Sequence, residues 1–331
     1  MSSEKTVKKI LIEMERLGRR AYEIARETVM KEKFEYKPLH EAVSYFMQEW
    51  HNFQHPALLA IACEAVGGNP EKTVPIGAAL VLLTGAADIH DDIIDKSKTK
   101  GSRPTLFGKF GEDMSLLAGD VLLFKGLMLL NSACEKLPKE KRKTVQELVK
   151  QGFFELGTAE AKEASLKGNW NLTPEEYLDI IKRKAAVAEA TARIGAVIGG
   201  ATPEEIEDWG KIGRILAMLM NIRDEFIDIF EAKELKNRRD NECLPLPMLY
   251  AMRNPEAKER IIYLLKKEEL TDDDAIEVAD VVLETKEVQR LRNEMRGLIA
   301  EGSKLLNKYK KYKNKDIDII GNLLRIALNG L

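Results

Sequence analysis

Four aspartates are concentrated in a short, otherwise apolar segment: Asp88, Asp91, Asp92 and Asp95. Their spacing of i, i+3, i+4 and i+7 places all four carboxylates on one face of a helix. Like charges one turn apart destabilise an exposed helix by about 0.2–0.5 kcal/mol per pair, and by more when they are desolvated. We therefore expect a positive partner on this face. Two roles stay open for Asp88, namely an added ligand or base, and a helix charge paired with another side chain.

A second acidic cluster interrupts another apolar stretch. Asp224 and Asp228 are one helical turn apart, and residues 216–220 and 226–230 on either side are largely apolar. Mg²⁺ takes oxygen ligands and typically uses one or two carboxylates together with water and substrate phosphates. Two such acidic turns facing each other would form a clamp that binds a diphosphate through Mg²⁺.

Long amphipathic segments must position these clusters. Apolar residues recur at i, i+3, i+4 and i+7, with no run of alternating apolar and polar residues, which is typical of helices. We predict an all-α fold with helices over residues 5–31, 39–49, 56–66, 72–95, 113–135, 140–165, 174–199 and 204–232, followed by shorter ones. Proline after Asn69, Thr173 and Thr202 predicts three helix starts. No linker or internal repeat is visible, so we expect a single domain over residues 1–331.

Composition excludes several classes of protein. The chain is 44% hydrophobic and 32% charged, which excludes a disordered or collagen-like protein. Its net charge of -2 provides no basic field for nucleic acid. Three cysteines are too few for a disulfide scaffold. The start of the chain lacks the pattern of a signal peptide, and the longest apolar run, residues 75–87, is shorter than the roughly 18–20 residues of a membrane span. We expect a cytoplasmic protein without a membrane span.

Four segments in combination resemble the trans-isoprenyl diphosphate synthases, also called polyprenyl synthetases. Residues 90–95 (HDDIID) resemble the first aspartate-rich motif of that family, and residues 117–123 match the LAGDxLL run that follows it. Residues 177–184 are similar to the helix that ends in a diphosphate-binding lysine. Residues 213–228 resemble the second motif, with Glu225 where the family usually has aspartate. The resemblance extends from about residue 40 to the C-terminus.

The resemblance implies an isoprenoid synthase fold, a single bundle of long antiparallel helices around a deep apolar cavity. It implies an allylic prenyl diphosphate as substrate and Mg²⁺ as cofactor, with three ions around the bound diphosphate. Lys184 would help to stabilise the departing diphosphate. The partner would be a second copy of the chain, or another prenyl synthase in a heteromer. The implied metal ligands are Asp91, Asp92, Asp95, Asp224, Glu225 and Asp228.

The chain departs from the family where the second substrate, isopentenyl diphosphate, is bound. The family uses a Gly-Lys-x-x-Arg-Pro segment and a histidine ahead of the first motif, and the three basic positions hold Asn52, His55 and Thr84 here. A charge-assisted contact to phosphate contributes about 1.5–3 kcal/mol. We therefore expect binding of isopentenyl diphosphate to be weakened by several orders of magnitude.

Other basic residues are candidates for the missing contacts. Lys100 and Arg103 stand close to the position of the arginine pair that follows the first motif in the family. Lys236, Arg238 and Arg239 precede the segment in which the family has a late lysine. Of these five residues, we predict that all except Arg238 bind substrate.

Three functions follow from these observations. The leading hypothesis is Mg²⁺-dependent ionisation of a C15 to C20 or longer allylic diphosphate, with terpene-synthase-like cyclisation, elimination or water capture. The second is a chain-elongating prenyltransferase in which His55 and other cations rebuild the isopentenyl diphosphate site. The third is a binding or regulatory subunit of a heteromeric prenyl synthase. The presence of both acidic clusters argues against the third.

Small residues lie four and five positions before Asp91, about one helical turn earlier. In the resembled family, aromatic side chains at these positions form a floor that limits the product to C15, whereas this chain has Ala86 and Ala87, with Gly85 adjacent. Burying hydrocarbon contributes about 0.8 kcal/mol per methylene group. We therefore expect Ala86 and Ala87 to admit the tail of a C20 substrate, unless bulky residues deeper in the cavity close it.

Overall fold

The computed structural model describes residues 3–310 and 316–329. Helices dominate these residues, so the predicted all-α fold is confirmed. The helices are α1 (Ser3–Met30), α2 (Lys37–Glu49), α3 (Gln54–Ala65), α4 (Val74–Ile94), α5 (Leu106–Phe110), α6 (Glu112–Glu135), α7 (Lys139–Leu166), α8 (Pro174–Lys184), α9 (Ala186–Gly199), α10 (Pro203–Asp228), α11 (Ala232–Asn241), α12 (Leu246–Ala251), α13 (Pro255–Leu265), α14 (Asp272–Glu284), α15 (Lys286–Asn307) and α16 (Ile317–Ile326).

The predicted helix starts are confirmed, and their caps explain them. The Thr173 and Thr202 side chains accept hydrogen bonds from backbone N–H groups in the first turns of α8 and α10. Glu176 and Glu205 bond back to those caps, completing two capping boxes. Asn69 caps a short 3-10 helix, Pro70–Thr73, which leads into α4.

Two predicted helices end differently in the structure. The helix predicted over residues 174–199 is interrupted at Ala185, so that α8 ends at Lys184 and α9 begins at Ala186. The helix predicted over residues 204–232 ends at Asp228. Neither end is marked by proline or glycine, and lysine and alanine both favour helices, so local sequence preference does not reveal the first interruption.

A small antiparallel hairpin follows α4. Its strands are β1 (Thr99–Lys100) and β2 (Arg103–Pro104), with Thr99 opposite Pro104 and Lys100 opposite Arg103. Two-residue strands are too short to produce an alternating pattern, so the sequence did not predict them. The hairpin places Lys100 beside the end of α4, where the first acidic cluster lies.

The core is organised around α4 and α9. Helix α4 packs along α6, while α9 packs against α3, α7 and α10. Contact between α3 and α9 is especially close at Gly195, where a Cβ atom would lie 2.4 Å from the carbonyl oxygen of Leu59. Any larger side chain at Gly195 would push these helices apart.

Helix α4 extends beyond the apolar run at residues 75–87. Together with the preceding turn it covers Pro70–Ile94, which by length and composition would suffice to cross a membrane. Its most apolar window is 67% buried inside the fold. A buried core helix can have the same length and composition as a membrane span. Since α4 packs along α6, we describe it as a helix of the core.

Candidate active site

A deep, mostly apolar cavity of about 790 Å³ lies between the long helices. Its walls come from α3, α4, α7, α9 and α10, and it is also lined by Leu11 of α1 and by Leu323 of α16. A volume of this size falls in the upper part of the range of small-molecule sites, about 300–1,000 Å³. The charged residues of its lining are Asp88, Asp91, Glu160 and Lys184.

Asp88 is a paired charge rather than a free carboxylate. One oxygen accepts a hydrogen bond from Nε1 of Trp50 at 2.6 Å, and the other lies 3.1 Å from Nζ of Lys100. The same ammonium lies 3.0 Å from Asp92. Lys100 is therefore the positive partner expected on this face. Burial raises the pKa of Asp92 to about 6, although the charge of Lys100 opposes the shift.

Asp91 is the carboxylate that is least satisfied in the site. Its Oδ1 atom is buried and has no hydrogen-bond partner. Burial raises the pKa of Asp91, and the charge of Lys184 opposes the rise. Lys184 is itself held between two carboxylates of α7, with Nζ at 3.1 Å from Glu160 and in contact with Glu163. The break at Ala185 places Lys184 in the last turn of α8, beside α7.

Asp95, at the end of α4, is paired with a lysine that the sequence reasoning missed. Nζ of Lys167, the residue after α7, lies 2.9 Å from Asp95 and also donates to the carbonyl oxygen of Ile94 at 2.6 Å. Asn237 of α11 donates to the backbone carbonyl of Asp95 at 3.3 Å. The first cluster is thereby connected to α7 and α11.

The second acidic cluster divides into an exposed part and a buried part. Asp224 is exposed near the end of α10, and Asp228 is partly buried, with one oxygen 3.7 Å from Nε of Arg238. Burial raises the pKa of Asp228, while Arg238 opposes the rise. Neither side chain lines the cavity, but Asn221, one turn earlier on α10, does.

Glu225 is bonded entirely within the protein. Its Oε2 atom lies 2.5 Å from Nη2 of Arg238 and accepts the backbone N–H of Leu246 at 2.9 Å. Its Oε1 atom is 3.1 Å from the hydroxyl of Tyr177. Because both oxygens are engaged in a buried network, this arrangement does not favour the predicted role of Glu225 as a metal ligand.

A buried network links Lys184 to the second cluster. The Tyr177 hydroxyl accepts from Arg238 and lies 2.8 Å from Glu163, the carboxylate that also contacts Lys184. Its single proton can be donated to either Glu163 or Glu225 but not to both at once. Arg238 is also paired with Glu242 at 2.7 Å. Lys184 and the second cluster therefore belong to one electrostatic unit.

Three of the predicted substrate-binding residues are bonded elsewhere. Lys236 pairs with Glu269 at 3.1 Å. Arg239 pairs with Asp240 and donates to carbonyl oxygens at the end of α13, so its guanidinium is engaged on that side of α11. Arg103 is an exposed hairpin residue, 3.8 Å from Glu49. Of the basic residues near the late segment, it is Arg238 that reaches the acidic cluster.

The positions that differ from the family's isopentenyl diphosphate site all line the cavity. They are Asn52, His55 and Thr84. Thr84 donates its hydroxyl to the carbonyl oxygen of Leu80 at 2.8 Å. Ala86 and Ala87 also line the cavity, as expected from their place before the first cluster.

The residues fit a divalent cation held partly by a substrate. Among the described residues, no group of three or more His, Cys, Asp or Glu side chains could by itself hold a metal ion. Mg²⁺ usually completes its coordination with water and substrate phosphates, so a closed protein cage is not required. The buried, unpartnered Oδ1 of Asp91 is the kind of donor atom that such a cation would satisfy.

Four residues of the site escaped the sequence reasoning: Glu160, Glu163, Lys167 and Tyr177. Lys167 lies just after the helix predicted over residues 140–165, and the other three lie within predicted helices. Their polar side chains resemble those of a solvated helix face, because only the packing of α7 and α8 against the first cluster buries them. The sequence could have revealed them through a polar residue at a position of α7 that faces the core.

Comparisons with known proteins identify the family. The sequence profile of the family described as polyprenyl synthetase matches residues 37–282. A short chain isoprenyl diphosphate synthase of Methanothermobacter thermautotrophicus is 31% identical over 182 residues, which are 54% of this chain and 54% of that protein. A geranylgeranyl diphosphate synthase of Methanosarcina mazei is 30% identical over 198 residues, 60% of each chain. The chain thus spans 54–60% of the length of these curated relatives.

Solved structures show the same fold. A geranylgeranyl pyrophosphate synthetase from Pyrococcus horikoshii superposes with a TM-score of 0.81 at 20% identity, covering 98% of this chain and 99% of that one. A polyprenyl synthetase from Streptomyces coelicolor gives a TM-score of 0.79 at 19% identity, covering 97% and 99%. These likenesses confirm the predicted isoprenoid synthase fold. Since the profile match covers most of its length, the chain belongs to the polyprenyl synthetase family.

Proposed function

We propose that the protein ionises an allylic prenyl diphosphate in a reaction that depends on Mg²⁺. One observation carries the proposal: the buried, unpartnered Oδ1 of Asp91 lies in the lining of an apolar cavity of about 790 Å³, together with Lys184. One site thereby combines a carboxylate that can bind a cation, an ammonium group that can bind a phosphate, and space for a hydrocarbon chain.

The residues divide the work by their charge and position. We propose Asp91, Asp92 and Asp95 on α4, and Asp224 and Asp228 on α10, as the groups that hold Mg²⁺. When bound, Mg²⁺ would neutralise the charge that develops on the leaving diphosphate. Lys184 and Lys100 supply fixed positive charge beside α4, where they would orient the diphosphate. The apolar walls exclude water from the cation that remains.

Chain elongation with isopentenyl diphosphate is the fate that the relatives favour. The curated relatives described above are named as isoprenyl or geranylgeranyl diphosphate synthases. We therefore place elongation ahead of the terpene-synthase-like fate expected from the sequence. The latter remains a second candidate because Asn52, His55 and Thr84 bring no cation to the cavity wall. A purely regulatory role is disfavoured by the presence of the cavity and both acidic clusters.

One experiment distinguishes the two fates. The protein is supplied with C10, C15 and C20 allylic diphosphates and Mg²⁺, with and without isopentenyl diphosphate, and all organic products are identified. Elongation predicts a longer diphosphate only when isopentenyl diphosphate is present. The second candidate predicts hydrocarbons or alcohols of unchanged carbon number in both cases.

We also propose that the chain forms a homodimer through α6. Five exposed apolar side chains of that helix lie within an arc of about 120°, at about 100° per residue: Leu116, Leu117, Phe124, Leu127 and Met128. A second copy presents the same stripe, so a two-fold contact would bury both. A large subunit of a heterodimeric geranylgeranyl pyrophosphate synthase from Arabidopsis thaliana is 32% identical over 222 residues, which are 64% of this chain and 60% of that protein. Because that relative is named as a subunit of a heterodimer, a heteromer is the alternative to the homodimer.

Light scattering tests the α6 interface. The double variant Phe124→Lys, Met128→Lys is expected to be monomeric where the wild type is dimeric. Tyr263→Lys, which replaces an exposed aromatic residue on α13, serves as the control and should remain a dimer. A wild-type monomer that dimerises only with another prenyl synthase would favour the heteromer.

Two further expectations concern the whole chain. We propose a single domain over residues 1–331, supported by the shared cavity that α1 and α16, from opposite ends of the chain, help to line. We propose a cytoplasmic location, supported by three cysteines that are buried and free of disulfide bonds.

A further inference from the structure

His55 is held in the cavity wall by a hydrogen bond that fixes its tautomer. It lies in the first turn of α3 and lines the cavity. Its Nδ1 atom is 3.0 Å from Oγ1 of Thr191 on α9. The Thr191 hydroxyl gives its own proton to the carbonyl oxygen of Val187 at 2.7 Å. In this arrangement Thr191 accepts, and Nδ1 of His55 carries the proton between the two side chains.

Nε2 of His55 is consequently left with an unshared electron pair. It makes no hydrogen bond to any residue in 3–310 or 316–329. Burial alone lowers the pKa of His55 to about 4, and no neighbouring charge contributes to the shift. The ring is thus neutral at pH 7, and its free nitrogen is a basic atom in a largely apolar wall.

We propose that Nε2 of His55 accepts the proton lost by the carbocation in the cavity. The inference rests on the proposed function, because that carbocation forms only if an allylic diphosphate ionises. His55 would then be a catalytic residue for the step that ends the reaction, and Thr191 a positioning residue that keeps Nε2 unprotonated.

The step balances without any additional reactant. The diphosphate leaves with the electron pair of the C–O bond, and a C–H bond next to the cationic carbon then breaks. Its proton goes to Nε2, and its electron pair becomes a C=C double bond. The imidazolium returns the proton to water before the next turnover. A carbocation is so strong an acid that a weakly basic imidazole suffices to deprotonate it.

The step is compatible with both fates of the cation. After condensation with isopentenyl diphosphate, the longer cation must also lose a proton. A lysine or arginine at position 55 could not accept that proton at neutral pH, because both remain protonated. A neutral histidine at position 55 therefore gives this part of the cavity wall a base.

Product ratios in His55→Asn test the proposal. Asparagine retains an N–H donor for Thr191 but lacks a base. We expect the ratio of deprotonated products, condensed or not, to water-captured alcohols to fall at least about tenfold, since a positioned base typically contributes 10²–10⁴-fold. Thr191→Val should lower the ratio in the same direction. His51→Asn, an exposed histidine outside the cavity lining, is the matched control and should keep the wild-type ratio.

Two different failures can be told apart. If the wild type releases diphosphate but His55→Asn leaves the ratio unchanged, or only raises the KM for isopentenyl diphosphate, the role of His55 is overturned and the proposed function stands. If the wild type releases no diphosphate from any allylic substrate, both are overturned. Nitrogen-15 spectra of the four histidine rings give a second readout without substrate. His55, identified by its loss in the variant, should be neutral with the proton on Nδ1 at pH 7, and a charged ring or a proton on Nε2 would contradict the proposal.

Discussion

Neighbouring residues of the second acidic cluster should respond in opposite ways to neutralisation. Asp224 is exposed, whereas Glu225 is buried and bonded to Arg238 and the backbone of Leu246. Asp224→Asn should not destabilise the metal-free protein at pH 7.5, because desolvation by the surrounding protein raises the pKa of the Asp224 carboxyl to about 6 and so disfavours its charged form. Glu225→Gln removes the negative member of a buried ion pair.

The magnitude for Glu225→Gln follows from what Arg238 retains. Breaking a buried pair typically costs about 3–5 kcal/mol, and a charge-assisted hydrogen bond contributes about 1.5–3 kcal/mol. Arg238 keeps Glu242 at 2.7 Å and Asp228 at 3.7 Å. We therefore expect a loss of about 2–3 kcal/mol in the free energy of unfolding, which is within the range for a charge-assisted hydrogen bond and at or below the lower end of the range for a broken buried pair. Urea unfolding without metal, at pH 7.5, measures it.

The stabilisation by ligand should be affected in the opposite order: Asp224→Asn should lose part of it and Glu225→Gln should keep it. At concentrations of Mg²⁺ and pyrophosphate about 100 times the dissociation constant, binding stabilises a protein by about 2.7 kcal/mol, and a tenfold weaker affinity reduces this to about 1.4 kcal/mol. We expect that reduction in Asp224→Asn and no reduction in Glu225→Gln. If Glu225→Gln instead unfolded at the wild-type urea concentration and lost its stabilisation by ligand, Glu225 would be a metal ligand and our reasoning would be refuted.

Two further predictions concern the first cluster and the cavity. Burial raises the pKa of Asp92 from 3.8 to about 6, so the folded wild-type protein loses stability as the pH rises between these values. Without metal, Asp92→Asn should therefore become more stable relative to wild type from pH 4 to pH 7, by up to about 3 kcal/mol. A difference in the free energy of unfolding in urea that stays constant over this pH range would count against the prediction. Ala87→Phe should shift the preference in kcat/KM from C20 towards C10 and C15 substrates, because Ala87 lines the cavity, and an unchanged ranking would show that another part of the wall limits the chain.

Much of the fold follows from local sequence. The capping boxes at Thr173 and Thr202 were legible because their signal lies within four residues. The interruption at Ala185 could not be predicted from the sequence, because no residue there disfavours a helix. That interruption nonetheless places Lys184 against Glu160 and Glu163, so a feature of the candidate site depends on tertiary packing alone.

The candidate site was predictable where charge stood out against an apolar background. Both aspartate clusters were found in this way. The ligand set itself was harder to predict, because sequence spacing gives the helix on which a carboxylate lies but not its partners. Glu225 and Arg238 illustrate the difficulty: thirteen residues apart, they form one buried pair that no helical periodicity connects. Lys167 was missed for the same reason, since its partner Asp95 is distant in sequence.

Release of diphosphate from a C20 allylic diphosphate is the most direct test of the central claim. We predict release by the wild type with Mg²⁺, its loss in EDTA, and its loss in Asp91→Ala with Mg²⁺ present, while circular dichroism shows that the variant keeps its helical fold. Release that continues undiminished in EDTA, or in a folded Asp91→Ala variant, would contradict the assignment of the acidic clusters to a diphosphate-metal site.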